Sequence, residues 1–193
     1  MSQRSEPAAA PGFLGLDRRG WPGTIAVAAV VAVIALGLPL LNRLVSADQP
    51  VEPGTAIDVG RGVAFTAVDG WSIDAEQTDA QRDIVVLHKG PLALLFEARA
   101  SDRSLPEEYD RLAEEIRSGA GVQLFNGATA FTTDGGLTGM GGSYSSPESE
   151  GRFAVLQAGD TVVRLLAKGP PDAMAADLGD VEQMVQTLRI GPP

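Results

Sequence analysis

Residues 84–117 read IVVLHKGPLALLFEARASDRSLPEEYDRLAEEIR. Two short apolar runs, Ile84 to His88 and Leu92 to Ala98, flank Lys89-Gly90-Pro91. Runs of this length, rich in branched and aromatic side chains and bounded by Gly and Pro, read as strands. The tight Gly-Pro connection makes them an antiparallel hairpin. Beyond Ala100 the period changes. Ser104 and Glu107 have capping-box spacing, so each can satisfy an orphan amide at a helix start. Leu105, Tyr109, Leu112 and Ile116 then share one stripe, and Glu108, Arg111, Glu114 and Glu115 are expected largely away from it. Gly119 or Gly121 supplies the C-terminal stop. A hairpin followed by an amphipathic helix predicts a sheet with one face covered by that helix.

Working outward, the same strand grammar recurs. Val63-Ala-Phe65-Thr-Ala67 nearly alternates, Asp69-Gly70 makes a turn, and Trp71-Ser-Ile73 begins another strand. Gly70 permits the turn, and the Trp71 indole is expected to be a buried anchor. Downstream strands are predicted at Gln123 to Phe125, Ala128 to Thr132, Leu137 to Tyr144, Phe153 to Gln157 and Thr161 to Leu166. Asp134-Gly-Gly136 and Gly159-Asp160 are hairpin signals, and Ser145 to Gly151 is a polar loop. A last helix is predicted over Asp172 to Leu188, with Leu178, Val181, Met184, Val185 and Leu188 as its stripe and Gly179-Asp180 as a break or new cap. Strands joined by hairpin turns, with one helix in the middle and one at the end, predict an α+β fold with a mainly antiparallel sheet.

The N-terminal quarter has another character. No charged residue occurs from Gly20 to Asn42, and Ile25 to Leu41 reads IAVAAVVAVIALGLPLL. At ~1.5 Å rise per residue, Trp21 to Leu41 matches the ~30 Å hydrocarbon core of a bilayer, which predicts a transmembrane helix over 21–41. Arg4, Arg18 and Arg19 precede it, whereas Arg43 alone follows closely before Asp48, Glu52 and Asp58. That asymmetry predicts a cytoplasmic N-terminus and an extracytoplasmic C-terminal domain in the cell membrane. Residues 1–20 read as a flexible cytoplasmic tail, 42–54 as a linker kept extended by Pro50 and Pro53, and 55–193 as one domain. The competing expectation is secretion after cleavage near Ala47, since Val45-Ser46-Ala47 has small residues where a signal peptidase reads. An apolar run longer than the usual ~7–15-residue signal core favours a retained anchor.

The chain has no cysteine, which excludes disulfides, thiolate metal sites and a cysteine nucleophile. Residues 48–193 carry 11 basic and 23 acidic side chains, a net of about −12. Nucleic acid and anionic headgroups would repel such a domain. Arginine over lysine, with abundant Ala, Val and Gly, is the composition of a GC-rich bacterial genome, such as an actinobacterial one.

Candidate chemistry is sparse. His88 is the only histidine and has no carboxylate beside it in sequence. No G-x-S-x-G elbow, H-E-x-x-H or cysteine-histidine spacing occurs. Gly135-Gly-Leu-Thr-Gly-Met-Gly-Gly142 lacks the lysine of a phosphate loop and reads as a flexible or closely packed hairpin. Asp69, Asp74 and Glu76 could hold calcium loosely but match no EF-hand loop. No catalytic residue, cofactor or metal is assigned.

The order of features resembles the PsbP-like superfamily, whose fold is shared with a small yeast Ran-binding protein and with actinobacterial lipoproteins. The resemblance covers about residues 60–190. It is carried by Val63-Ala-Phe65 leading to Gly70-Trp71, the helix Leu105–Arg117, Gly135-Gly136, and the strands Phe153–Gln157 and Thr161–Leu166 about Gly159-Asp160. Gly169-Pro170 and Met184-Val-Gln-Thr-Leu-Arg-Ile190 complete it. Val68 stands where family members often carry proline. The resemblance implies an α/β/α sandwich and a binding or assembly module that docks on protein partners or membrane complexes, without implying catalysis. The apolar span, the charge asymmetry and the absence of a catalytic set add the expectation of a non-catalytic binding domain outside the cell membrane, with an envelope protein, or a lipid-like ligand held between sheet and helix, as partner. The alternatives from other classes are a hydrolase using His88 and a transmembrane sensor signalling to residues 1–20.

Overall fold

The computed structural model describes residues 48–191. The membrane-span, tail and orientation expectations therefore lie outside the described residues; among those described, no helix is long and apolar enough to cross a membrane. The elements run β1 (Asp48–Pro50), β2 (Ala56–Gly60), β3 (Val63–Thr66), β4 (Ser72–Asp74), β5 (Ile84–Lys89), β6 (Leu92–Ala100), α1 (Leu105–Arg117), β7 (Gln123–Thr132), β8 (Thr138–Ser145), β9 (Glu150–Ala158), β10 (Thr161–Gly169), α2 (Pro171–Gln186) and β11 (Arg189–Ile190).

The predicted hairpins are the frame. Lys89 pairs with Leu92, so Gly90-Pro91 is a two-residue loop, with Gly90 in the left-handed region at φ 57°. β7 pairs with β8 around Gly135-Gly136, and β9 with β10 around Gly159-Asp160. Eight antiparallel strands form one sheet in the order β1-β4-β5-β6-β10-β9-β8-β7, and β11-β3-β2 form a second.

Alternation along β9 and β10 sorts the two helices. Phe153, Val155 and Val162 join Tyr109, Leu112 and Ala113 of α1 in one core. Ala154, Leu156, Val163 and Leu165 join Met174, Val181, Met184 and Val185 of α2 in the other. Successive strand residues point to opposite faces, so the helices lie on opposite sides, as a sandwich requires. The small sheet shares the α2 side, where Phe65 of β3 stacks on Phe96 of β6 at 4.3 Å between centroids.

Four expectations need correction. Part of the expected linker is strand: Asp48–Pro50 pairs with Ser72–Asp74, and the Val51 amide donates to the Trp71 carbonyl at 3.1 Å. The prolines keep this segment extended, and extended chain beside a sheet edge finds partners there. Gln123 to Thr132 is one strand, not two, because a bulge between Phe125 and Thr129 absorbs the irregular residues. Helix α2 runs unbroken through Gly179-Asp180, since burial of its stripe outweighs the glycine's low helix propensity. Glu108, expected away from the apolar stripe, is fully buried.

Candidate functional site

Helix α2 and the small sheet together cover only part of their side of the large sheet. Beyond α2, toward β7, the surface is left to small residues, and a cleft of about 520 Å³ opens there. Its floor is Gly141 of β8, Ala154 of β9 and Leu165 of β10, with Phe131 of β7 at one side. Leu178, Val181 and Val185 of α2 form the facing wall. The volume lies within the range of small-molecule sites, which are mostly apolar with a few polar groups. Those groups are Thr129, Ser143, Arg152, Gln183, Gln186 and Glu182. Ser143 and Arg152 are cross-strand partners on the floor. Arg152 makes no ion pair among the described residues; its Nη1 donates only a long 3.4 Å bond to the Gly151 carbonyl. A second cleft, about 440 Å³, lies on the other face between α1 and β7.

Of the two readings of the glycine-rich stretch, flexible or closely packed, the structure shows the second. A Cβ on Gly139 would stand 2.6 Å from the Phe131 ring, and one on Gly142 2.7 Å from both the Phe153 ring and Tyr109 Oη. No amide cradle for phosphate is formed by a hairpin that opens no helix.

His88 does have a carboxylate partner, supplied by tertiary pairing. β4 lies beside β5, and His88 Nε2 sits 3.0 Å from Asp74 Oδ2. Asp74 also accepts from Gln77 Nε2 at 2.5 Å and from the amides of Glu76 and Gln77 at 2.9 and 3.0 Å. Burial would raise the Asp74 carboxyl, but these bonds hold it below the ordinary carboxylate value. The pair locks a turn, and among the described residues no hydroxyl hydrogen-bonds His88. Asp69, Asp74 and Glu76 are not brought together as ligands; no group of three such side chains gathers among the described residues.

Trp71 is 1% exposed, as expected of an anchor, and its Nε1 donates to Asp180 at 3.3 Å. Lys89 meets the same carboxylate at 2.6 Å and Asp177 at 2.9 Å, which raises its pKa and ties the β5–β6 turn to α2. The sequence reading missed the charged cluster under α1. Glu108 accepts from Ser101 Oγ at 2.7 Å and pairs with Arg99, with Arg103 at 3.5 Å and with Arg164 at 3.7 Å. Arg164 also grips Glu115 with two bonds of 2.9 and 3.2 Å.

No protein-family model and no curated protein matches the chain. Among solved structures it is similar to the PsbP of the cyanobacterium Synechocystis sp. PCC 6803, CyanoP, at 15% identity and TM-score 0.53, over 72% of this chain and 94% of that one. Weaker likenesses are to the Saccharomyces cerevisiae Ran-binding protein Mog1p (10% identity, TM-score 0.48, 70% and 94% covered) and to LpqN of Mycobacterium tuberculosis, involved in cell envelope biogenesis (16%, 0.46, 75% and 91%). The likeness to CyanoP concerns backbone arrangement and carries no activity or partner across. The fold of residues 48–191 is the PsbP-like fold.

Proposed function

We propose that the chain is a single-pass membrane protein that holds a non-catalytic binding module outside the cell membrane, and that the cleft beside α2 takes the apolar part of a lipid-like ligand. One observation carries this reading: a ligand-sized cleft with an apolar floor and wall, rimmed by a few polar side chains. The apolar run at 21–41 and the arginines before it support the anchored, outward-facing arrangement.

A benzophenone amino acid in place of Gln186, at the cleft rim, tests the site in cells producing the full chain. Irradiation is expected to give an adduct of lipid mass there and none with the same group at exposed Glu76. Equal labelling at both positions, or none at either, defeats the proposal, and a protein-sized adduct moves it to a protein partner. A periplasm-type reporter fused after Pro193 should be active and the mature N-terminus should precede Trp21; cleavage after Ala47 would instead make the module secreted. The hydrolase alternative has no support in the position of His88, whose partner Asp74 is committed to a turn. His88→Ala is expected to leave complementation of a deletion strain intact.

A further inference from the structure

The two ends of the large sheet are treated differently. At one end β1 is three residues long and carries Asp48 and Pro50, the short, charged and proline-bearing edge that resists further pairing. At the other end β7 offers ten residues, QLFNGATAFT, without a charge or a proline. No strand follows it in the sheet among the described residues. Gln123, Phe125 and Gly127 to Ala130 are exposed. Phe125, 46% exposed, is one of two large apolar side chains left in solvent among the described residues. The cleft between α1 and β7 lies against it, lined by Tyr109, Leu124 and Phe125 itself and by the charged Asp110, Glu114 and Arg117 of α1, the last two ion-paired with each other. The bulge between Phe125 and Thr129 bends the strand, while the halves on either side keep regular pairing to β8.

Unpaired edge amides and carbonyls are satisfied by another strand, and two antiparallel strands are related by a two-fold axis. A two-fold contact presents each residue to its own surface, so a charged patch would face like charge. In a domain carrying about −12, the β7 strand itself is an uncharged strip with an exposed aromatic, and the charges of the hollow beside it sit on α1, where Arg117 offsets Glu114. We propose that β7 is a dimerisation edge: two copies of this chain pair antiparallel through it, joining their large sheets and covering Phe125 and the α1-side cleft.

The natural chain has no cysteine, so engineered ones report proximity directly. In the purified full chain, Ala128→Cys and Ala130→Cys are expected to form disulfide-linked dimers under mild oxidant, while Glu76→Cys is not. Sedimentation should show dimer mass that is lost in Ala128→Lys, with an unchanged far-UV spectrum confirming that the variant folds. The proposal fails if the chain stays monomeric up to ~100 μM, a concentration at which a dimer with a micromolar Kd would be mostly assembled. It fails equally if Ala128→Lys leaves the dimer intact, or if Glu76→Cys crosslinks as readily as the edge positions.

Discussion

Glu108 is the residue on which the α1 side of the domain most depends. It stands three residues after Leu105 and four before Leu112, so its spacing places it on the apolar stripe, and only its charge argued for the solvent side. What admits the charge is Arg99 near the end of β6 and Ser101 just beyond it, together with Arg164 of β10, brought in from far along the chain. Removing one member of a buried charged cluster leaves the others unpaired, which typically costs ~3–5 kcal/mol. Glu108→Ala should therefore lower the denaturation midpoint sharply. Burial pushes the Glu108 carboxyl up, but Ser101, Arg99 and Arg164 more than offset it and hold it below the usual carboxylate value. Its contribution is then complete above the unfolded value of ~4.3 and is lost as pH falls through the lower folded value. Thermal midpoints measured from neutral pH down to pH 3 should fall in that window, and less steeply in Glu108→Gln. Neighbouring glycines give a second contrast. Gly142→Ala should destabilise by ~1–3 kcal/mol, because its Cβ meets the Phe153 ring and Tyr109 Oη at 2.7 Å. Gly141→Ala, with its nearest neighbours at 3.4 Å and beyond, should be tolerated in the same melting assay.

At the scale of elements, helix and hairpin signals were legible because their determinants are local. The helix Leu105–Arg117 begins where Ser104 and Glu107 placed it, with the Glu107 carboxylate accepting from the Ser104 amide at 2.9 Å and hydroxyl at 2.7 Å. Turns at Gly90, Gly136 and Gly159 fall where Gly-Pro, Gly-Gly and Gly-Asp announced them. Gly179-Asp180 misled because a propensity weaker by about 1 kcal/mol than alanine is small beside the burial of Met174, Val181 and Met184. Asp180 is then used from inside the helix, receiving Trp71 and Lys89. Since a Cβ at Gly179 meets nothing within 4 Å, Gly179→Ala should raise stability by ~0.5–1 kcal/mol in denaturant titration. The strand at Asp48–Pro50 was illegible for a different reason: three polar, extended residues carry no period, and only the edge of β4 makes them a strand.

For the molecule as a whole, strand order governs which parts open first. β6, β10 and β9 lie in the middle of the large sheet with cores on both faces, whereas β1 is a three-residue exposed edge. In hydrogen exchange, amides of β6, β9 and β10 should exchange last, at the cost of global unfolding, and those of β1 among the first. The amino-acid sequence by itself determined the α+β class, the positions of the hairpin turns, the span of α1, the buried role of Trp71 and the acidity of the domain. Each of these follows from periodicity, turn chemistry or composition within a few residues. The tertiary structure alone decided that β6 neighbours β10, that Glu108 meets Arg164, that Asp74 meets His88, and that a cleft opens between α2 and β7. Those are contacts between residues far apart in the chain, chosen by how two cores share one sheet, and no local pattern encodes them.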